Sequence, residues 1–179
     1  MNKNGEFDYD QFSKKYKNAH KESIVKNNSN RAASLIARKF NLKGANYTIT
    51  SACASATQAV GIAYKTIQRG DADLMVAGGA DSMINPMGLV FFVLLQAACV
   101  SSSNSHGLCR PFDRKRSGLV MGEGAGTAIL EEESHALKRG AKIYAEVAGY
   151  GSSMDAFQVT APHPKGNGAE LSMNAALKD

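Results

Sequence analysis

The chain has no tryptophan, only four prolines and three cysteines, and 7% aromatic residues. Each scarcity closes a route. Cys53, Cys99 and Cys109 are odd in number and lack C-x-x-C spacing, so the sequence indicates neither a disulfide framework nor a zinc site, and a reducing, cytoplasmic setting is expected. His20, His106, His135 and His163 are scattered rather than set at metal-ligand spacing; each reads as a surface or loop residue, and no metal is expected. The most apolar run, residues 87–100, is shorter than a bilayer span and carries Gln96, which fits a buried helix rather than a membrane segment. Residues 1–6 have no apolar stretch of a secretory leader, so export by that route is not expected.

Strong charge of one sign is also missing. The formal charge is +5, and Lys14, Lys15, Lys17, Lys21 and Lys26 form the one loose basic cluster. Without interleaved aromatics or a recognition motif this cluster reads as a solvated helix face, with docking of an acidic partner as a second reading and no nucleic-acid role.

What is present suits a soluble α/β protein. At 179 residues, with 44% hydrophobic and 21% charged, the chain can build one core and is one domain or part of one. Asn28 or Ser29 caps a helix through about Phe40, with Ala32, Ala33, Leu35, Ile36 and Phe40 on one face and Gly44 as its stop. A strand is expected over about 46–50, a helix over 54–68 ended by Arg69-Gly70, and a buried strand over 72–79 ending in glycines. Strand, helix and strand at this spacing predict a βαβ crossover. Further along, the pattern predicts helices over about 86–98, 132–139 and from 169, with strands after the glycines of 122–126 and over 142–150.

Cys53 is the candidate nucleophile. The stretch Thr48-Ile49-Thr50-Ser51-Ala52-Cys53-Ala54-Ser55-Ala56 turns from β-branched alternation to small residues, placing the thiol between a strand and a helix start. A helix N-terminus offers unpaired N–H groups and partial positive charge, which suit a thiolate and a bound carbonyl oxygen. Such a cysteine can carry an acyl group as a thioester. Cys99 and Cys109, without this context, read as small buried hydrophobes. Gly122, Gly124 and Gly126 look like a phosphate-binding loop but precede a strand, so they indicate close backbone packing and no nucleotide cofactor. Glu131-Glu132-Glu133 is accounted for by placement at a helix N-terminus.

These stretches, taken in order, resemble the β-ketoacyl-acyl carrier protein synthases, the type II elongating ketosynthase branch of the thiolase superfamily. The residues that carry the resemblance are Ser51-Ala52-Cys53-Ala54-Ser55, Gly70-Asp71-Ala72-Asp73, Ala77-Gly78-Gly79-Ala80, Arg110-Pro111-Phe112-Asp113, Gly122-Glu123-Gly124-Ala125-Gly126, Lys138-Arg139-Gly140-Ala141, Asp155-Ala156 and Thr160-Ala161-Pro162-His163-Pro164. The resemblance implies part of a thiolase-like αβαβα layered fold, with residues 1–140 belonging to the first half and 141–179 opening the second. It implies that Cys53 accepts an acyl chain from acyl carrier protein and condenses it with malonyl-acyl carrier protein, that Val90, Phe91 and Phe92 shape the acyl pocket, and that the complete protein is a homodimer with no cofactor. The alternative is a non-catalytic chain-length-type partner subunit; members of that group typically lack the cysteine, so Cys53 argues against it.

The chain also departs from the family pattern. The two histidine motifs that assist decarboxylation do not occur in these residues, and neither does the hydrophobic opening strand with its Thr-Gly-Leu-Gly-like turn. Gln158 stands where the pattern commonly has histidine; it can hydrogen-bond but cannot carry a proton as imidazole does. With the middle strands missing, the apolar faces around Ile49, Leu74, Val76 and Ile129 are expected to lack neighbours, inviting association.

Overall fold

The computed structural model describes residues 8–16, 28–100 and 107–179. The expectations for His20, His106, Lys17, Lys21 and Lys26 lie outside them. The chain forms two compact units, Met1–Thr48 and Ile49–Asp179.

The first unit contains helices α1 (Tyr9–Lys15) and α2 (Arg31–Phe40). Asp8 caps α1 by accepting the Gln11 N–H at 2.9 Å. The start of α2 is displaced from the predicted caps: Asn30 occupies the cap position and makes no side-chain cap bond. Its end at Phe40 is as expected, but the stop is not Gly44. Asn41, at φ 54° and ψ 38°, adopts the left-handed conformation and sends its N–H to the Ala37 carbonyl, so the helix stops before Gly44 is reached.

In the second unit a 3-10 turn, Ala52–Ala54, runs into helix α3 (Ser55–Gln68). Strand β1 (Leu74–Ser82), helix α4 (Pro86–Leu94), strand β2 (Glu123–Glu131), helix α5 (Glu133–Lys138) and helix α6 (Asn167–Lys178) follow. β1 and β2 pair antiparallel, with Leu74 opposite Glu131 and Ser82 opposite Glu123. α3 lies on this pair, and Ala63, Ala77 and Leu130 form the buried centre with Val60, Tyr64, Ile67 and Met75 around it. The small residues on α3 and β1 allow the helix to approach the strand closely.

The predicted βαβ crossover is not formed. Residues 46–50 and 142–150 make no strand, because a strand exists only as a ladder to a neighbour and the described residues give these stretches none. β1 also continues through Gly78-Gly79 instead of ending there. A Cβ at Gly78 would collide with the Gly126 carbonyl oxygen, so the crowded glycine is on β1; Gly122, Gly124 and Gly126 face open space. The packing inferred from the alternating glycines is therefore present at Gly78, opposite Thr127 on the neighbouring strand, where a Cβ would have no room.

Residues 149–151 pack against two helices. A Cβ at Gly61 of α3 would run into the Tyr150 ring, while those at Gly149 and Gly151 would strike carbonyls of α6. Asp155 caps α6 by accepting the Gly168 N–H at 3.0 Å. Of the apolar positions expected to lack neighbours, Leu74 and Ile129 are exposed, while Ile49 and Val76 are half-buried. No helix among the described residues is long and apolar enough to cross a membrane.

Candidate active site

Cys53 lies in the middle of the 3-10 turn that leads directly into α3, and it is exposed. It follows an irregular segment rather than the predicted strand, yet its place at the mouth of a 14-residue helix is as expected. The turn is tight. Ala52 takes φ 51°, a left-handed value unusual for a residue with a Cβ. The Ala54 N–H reaches the Ser51 carbonyl at 3.2 Å.

Ser55 ties this turn together from the far side of Cys53. Its Oγ accepts the Ser51 N–H at 2.8 Å, and its hydroxyl donates to the Ala52 carbonyl at 2.7 Å. The other flanking serine behaves differently: Ser51 Oγ is buried with no hydrogen-bond partner. No side chain caps the start of α3 at Ala54. The Ser55 N–H is instead taken by the Ala52 carbonyl through the 3-10 turn, and the positive end of the helix dipole acts on whatever binds there.

Gly79 of β1 passes directly beneath this region, since a Cβ there would sit 2.7 Å from Ala56 Cβ. Beside it lies an open cleft of 340 Å³, bounded by Ala54, Thr57 and Gln58 of the turn and α3, by Tyr150–Ser153, and by Gly168, Ala169 and Ser172 of α6. Gln58 Nε2 stands 3.5 Å from Ser152 Oγ across it. The cleft borders the residue after Cys53 and is lined mostly by small and polar groups.

The other predicted positions fall elsewhere. Val90, Phe91 and Phe92 lie on α4 and do not line that cleft; Val90 and Phe91 are exposed, and the two phenylalanine rings meet edge to face at 5.7 Å. Cys109 is exposed, and Cys99 is half-buried with its Sγ 3.0 Å from Ser117 Oγ, so neither is the buried hydrophobe the sequence suggested. Gln158 is exposed. His163 packs its ring against Phe157 at 5.2 Å, and His135 faces Glu131. Among the described residues no three metal-ligating side chains gather.

Sequence reasoning quoted Ser55, Ala52 and Asp155 as motif residues but gave none of them a structural role. Serines two residues before and two after the cysteine are visible in the sequence, but pattern alone does not say which hydroxyl closes the turn.

Residues 2–136 match the family model described as the N-terminal domain of beta-ketoacyl synthase. A 3-oxoacyl-[acyl-carrier-protein] synthase 2 of Rhizobium meliloti (strain 1021) is 47% identical over 154 residues, covering 83% of this chain and 36% of the relative. A mitochondrial 3-oxoacyl-[acyl-carrier-protein] synthase of Arabidopsis thaliana is 43% identical over 150 residues, covering 83% and 32%. The chain therefore spans about a third of the length of these relatives. Among solved structures, a type II PKS acyl-carrier protein in complex with its ketosynthase bound to the hexaketide superposes with a TM-score of 0.85 at 34% identity, over 89% of this chain and 40% of that one. A beta-ketoacyl synthase from Burkholderia phymatum STM815 gives 0.76 at 35% identity, over 93% and 42%. The antiparallel pair with its covering helix is thus part of the layered ketosynthase fold, and the chain belongs to the beta-ketoacyl synthase family through its N-terminal domain.

Proposed function

We propose that the chain is the nucleophile-bearing part of a β-ketoacyl-acyl carrier protein synthase working in fatty-acid or polyketide synthesis. The observation that carries this reading is the exposed thiol of Cys53 in a tight turn at the uncapped start of α3, in a chain of this family. The Cys53 thiolate attacks the carbonyl carbon of an acyl-carrier thioester. The carrier thiol leaves, and the acyl group stays on Cys53 as a new thioester. A malonyl thioester on a second carrier then loses carbon dioxide. The electron pair released forms a carbon–carbon bond to the Cys53-bound carbonyl, the bond to sulfur breaks, and a β-ketoacyl carrier is released with the thiolate regenerated. The positive end of α3 is suited to stabilise the oxyanion that develops at each attack.

The same reading assigns residues 1–140 to the first half of the enzyme and 141–179 to the start of the second. Val90, Phe91 and Phe92 shape the acyl pocket once the rest of the fold is present. Acyl carrier protein is the partner, the complete enzyme is a cytoplasmic homodimer, and no cofactor takes part. Retention of Cys53 disfavours a non-catalytic chain-length subunit.

The test is an intact-mass measurement on the full-length protein carrying this chain, incubated with acyl-acyl carrier protein. One acyl adduct is expected on wild type and none on Cys53→Ala. An adduct persisting in that variant removes the assignment.

A further inference from the structure

The turn that presents Cys53 contains a strained residue, and its side-chain hydrogen bonds converge on one hydroxyl. Ala52 is held at φ 51°, which an alanine adopts only when its surroundings impose it. Two side-chain bonds hold it here, Ser51 N–H to Ser55 Oγ at 2.8 Å and Ser55 hydroxyl to the Ala52 carbonyl at 2.7 Å, beside the backbone bonds from the Ala54 N–H to the Ser51 carbonyl and from the Ser55 N–H to the Ala52 carbonyl. Ser51 contributes no side-chain bond, since its Oγ is buried without a partner. Ser55 thus acts as donor and acceptor at once, tying Ser51 and Ala52, just before Cys53, to the first position of α3 just after it.

We infer that Ser55 is a positioning residue, whose hydroxyl holds the 51–55 turn closed and thereby keeps Cys53 presented to an electrophile at the start of α3. The inference rests on the reading of Cys53 as the acyl acceptor for its biological meaning, but the geometry concerns the reactivity of that thiol toward any electrophile. Loss of the hydroxyl leaves the Ser51 N–H without its acceptor and the Ala52 carbonyl without one donor, so Ala52 relaxes toward negative φ and the Cys53 side chain turns away.

The experiment uses the full-length protein and iodoacetamide as the probe, with the alkylation rate at each cysteine followed by peptide mass spectrometry. Ser55→Thr and Ser55→Val have nearly the same outline and differ in the hydroxyl. Ser55→Val is expected to slow alkylation of Cys53 about tenfold, in line with two lost hydrogen bonds, and Ser55→Thr to remain within about twofold of wild type. Ser51→Ala is expected to match wild type. Cys109, already exposed, and half-buried Cys99 serve as internal references; unchanged rates there separate a local effect from unfolding. In acyl transfer, Ser55→Val lowers the acylation rate constant while KM for the acyl carrier stays within about twofold. Equal or faster Cys53 alkylation in Ser55→Val than in Ser55→Thr overturns the inference. If the alkylation pattern holds but no variant, wild type included, forms an acyl adduct, the positioning role stands and the proposed reaction falls.

Discussion

Glu131, the last residue of β2, and Arg139, one residue past α5, are joined by two hydrogen bonds, from Nε to Oε1 at 2.7 Å and from Nη2 to Oε2 at 2.5 Å. His135 Nδ1 also lies 2.5 Å from that Oε1. The arrangement clamps the short helix α5 back onto the strand that precedes it. Glu132 completes the corner by accepting the His135 N–H at 2.7 Å, which caps α5.

The clamp makes the corner acid-sensitive in a defined direction. The Arg139 guanidinium, with His135 adding to it, holds the Glu131 carboxyl at about 2 from an ordinary 4.5, against the opposing effect of partial burial. A carboxyl lowered on folding contributes stability above its unfolded value, and loses it as pH falls through the folded one. The contribution is therefore complete above about pH 4.5 and fades toward pH 2. Arg139→Ala is expected to move the midpoint of acid unfolding, followed by circular dichroism, to higher pH. Arg139→Lys restores only part of the shift, since an ammonium cannot reproduce the two-pronged contact. Identical acid midpoints for wild type and Arg139→Ala would remove the role given to the clamp.

Gly79 and Ala56 are predicted to be coupled. The Cβ introduced by Gly79→Ala would lie 2.7 Å from Ala56 Cβ, and neither carbon can swing away as the end of a long side chain would. Gly79→Ala should destabilise the protein by about 1–3 kcal/mol in thermal or urea unfolding, as overpacking does. Adding Ala56→Gly should recover part of that loss, less the cost of glycine in a helix. Gly124→Ala, whose Cβ meets nothing, should stay within about 0.5 kcal/mol of wild type. Additive effects at positions 79 and 56 would show that the close approach is not the cause.

Much of this was legible in the residues themselves. α3 announced itself through the helical spacing of Ala59, Val60, Ala63, Tyr64 and Ile67, and it ends at Gln68 as expected, with Gly70 at φ 75° beyond it. The start of α4 at Pro86 was as expected, although the helix ends at Leu94 rather than near Ala98, and Cys53 was placed at a helix mouth from its small neighbours alone. Three features were not legible, each for a physical reason. Strand character at 46–50 and 142–150 depends on a ladder partner, and β-propensity cannot supply one. The stop of α2 depends on Asn41 entering the left-handed region, where asparagine competes with the more obvious Gly44. Ser55 was passed over because a hydroxyl that closes a turn is recognised by the two atoms it spans, not by its position in a pattern.

The cap of α4 offers a local test. Asn85 accepts the Gly88 N–H at 2.9 Å, and Pro86 occupies the first helical turn, where its missing N–H costs nothing. Asn85→Ala should weaken α4 by about 0.5–2 kcal/mol. Hydrogen exchange of peptides covering 86–94 reads this directly, with faster exchange there and unchanged protection in α3. Unaltered exchange across 86–94 would mean that something other than this cap fixes the helix start.

α4 also predicts how the 179-residue chain behaves in solution. Met87, Leu89, Val90, Phe91, Val93 and Leu94 are all exposed, and only Gly88 is buried, so this helix presents apolar side chains around most of its circumference. A helix hydrophobic all round belongs in a protein interior, and an uncovered one gains by burying itself against another copy. Exposed Leu74 and Ile129 on the sheet add to the same tendency. Sedimentation velocity of the isolated chain should therefore show concentration-dependent association. Met87 and Leu94, seven residues apart, fall on one face, and Met87→Lys with Leu94→Glu should shift the distribution toward monomer by placing charge on that face. A wild-type chain that sediments as a single monomeric species at all concentrations would mean that its apolar surface is covered in solution by a rearrangement of the chain itself, and the exposure of α4 would lose its meaning for association.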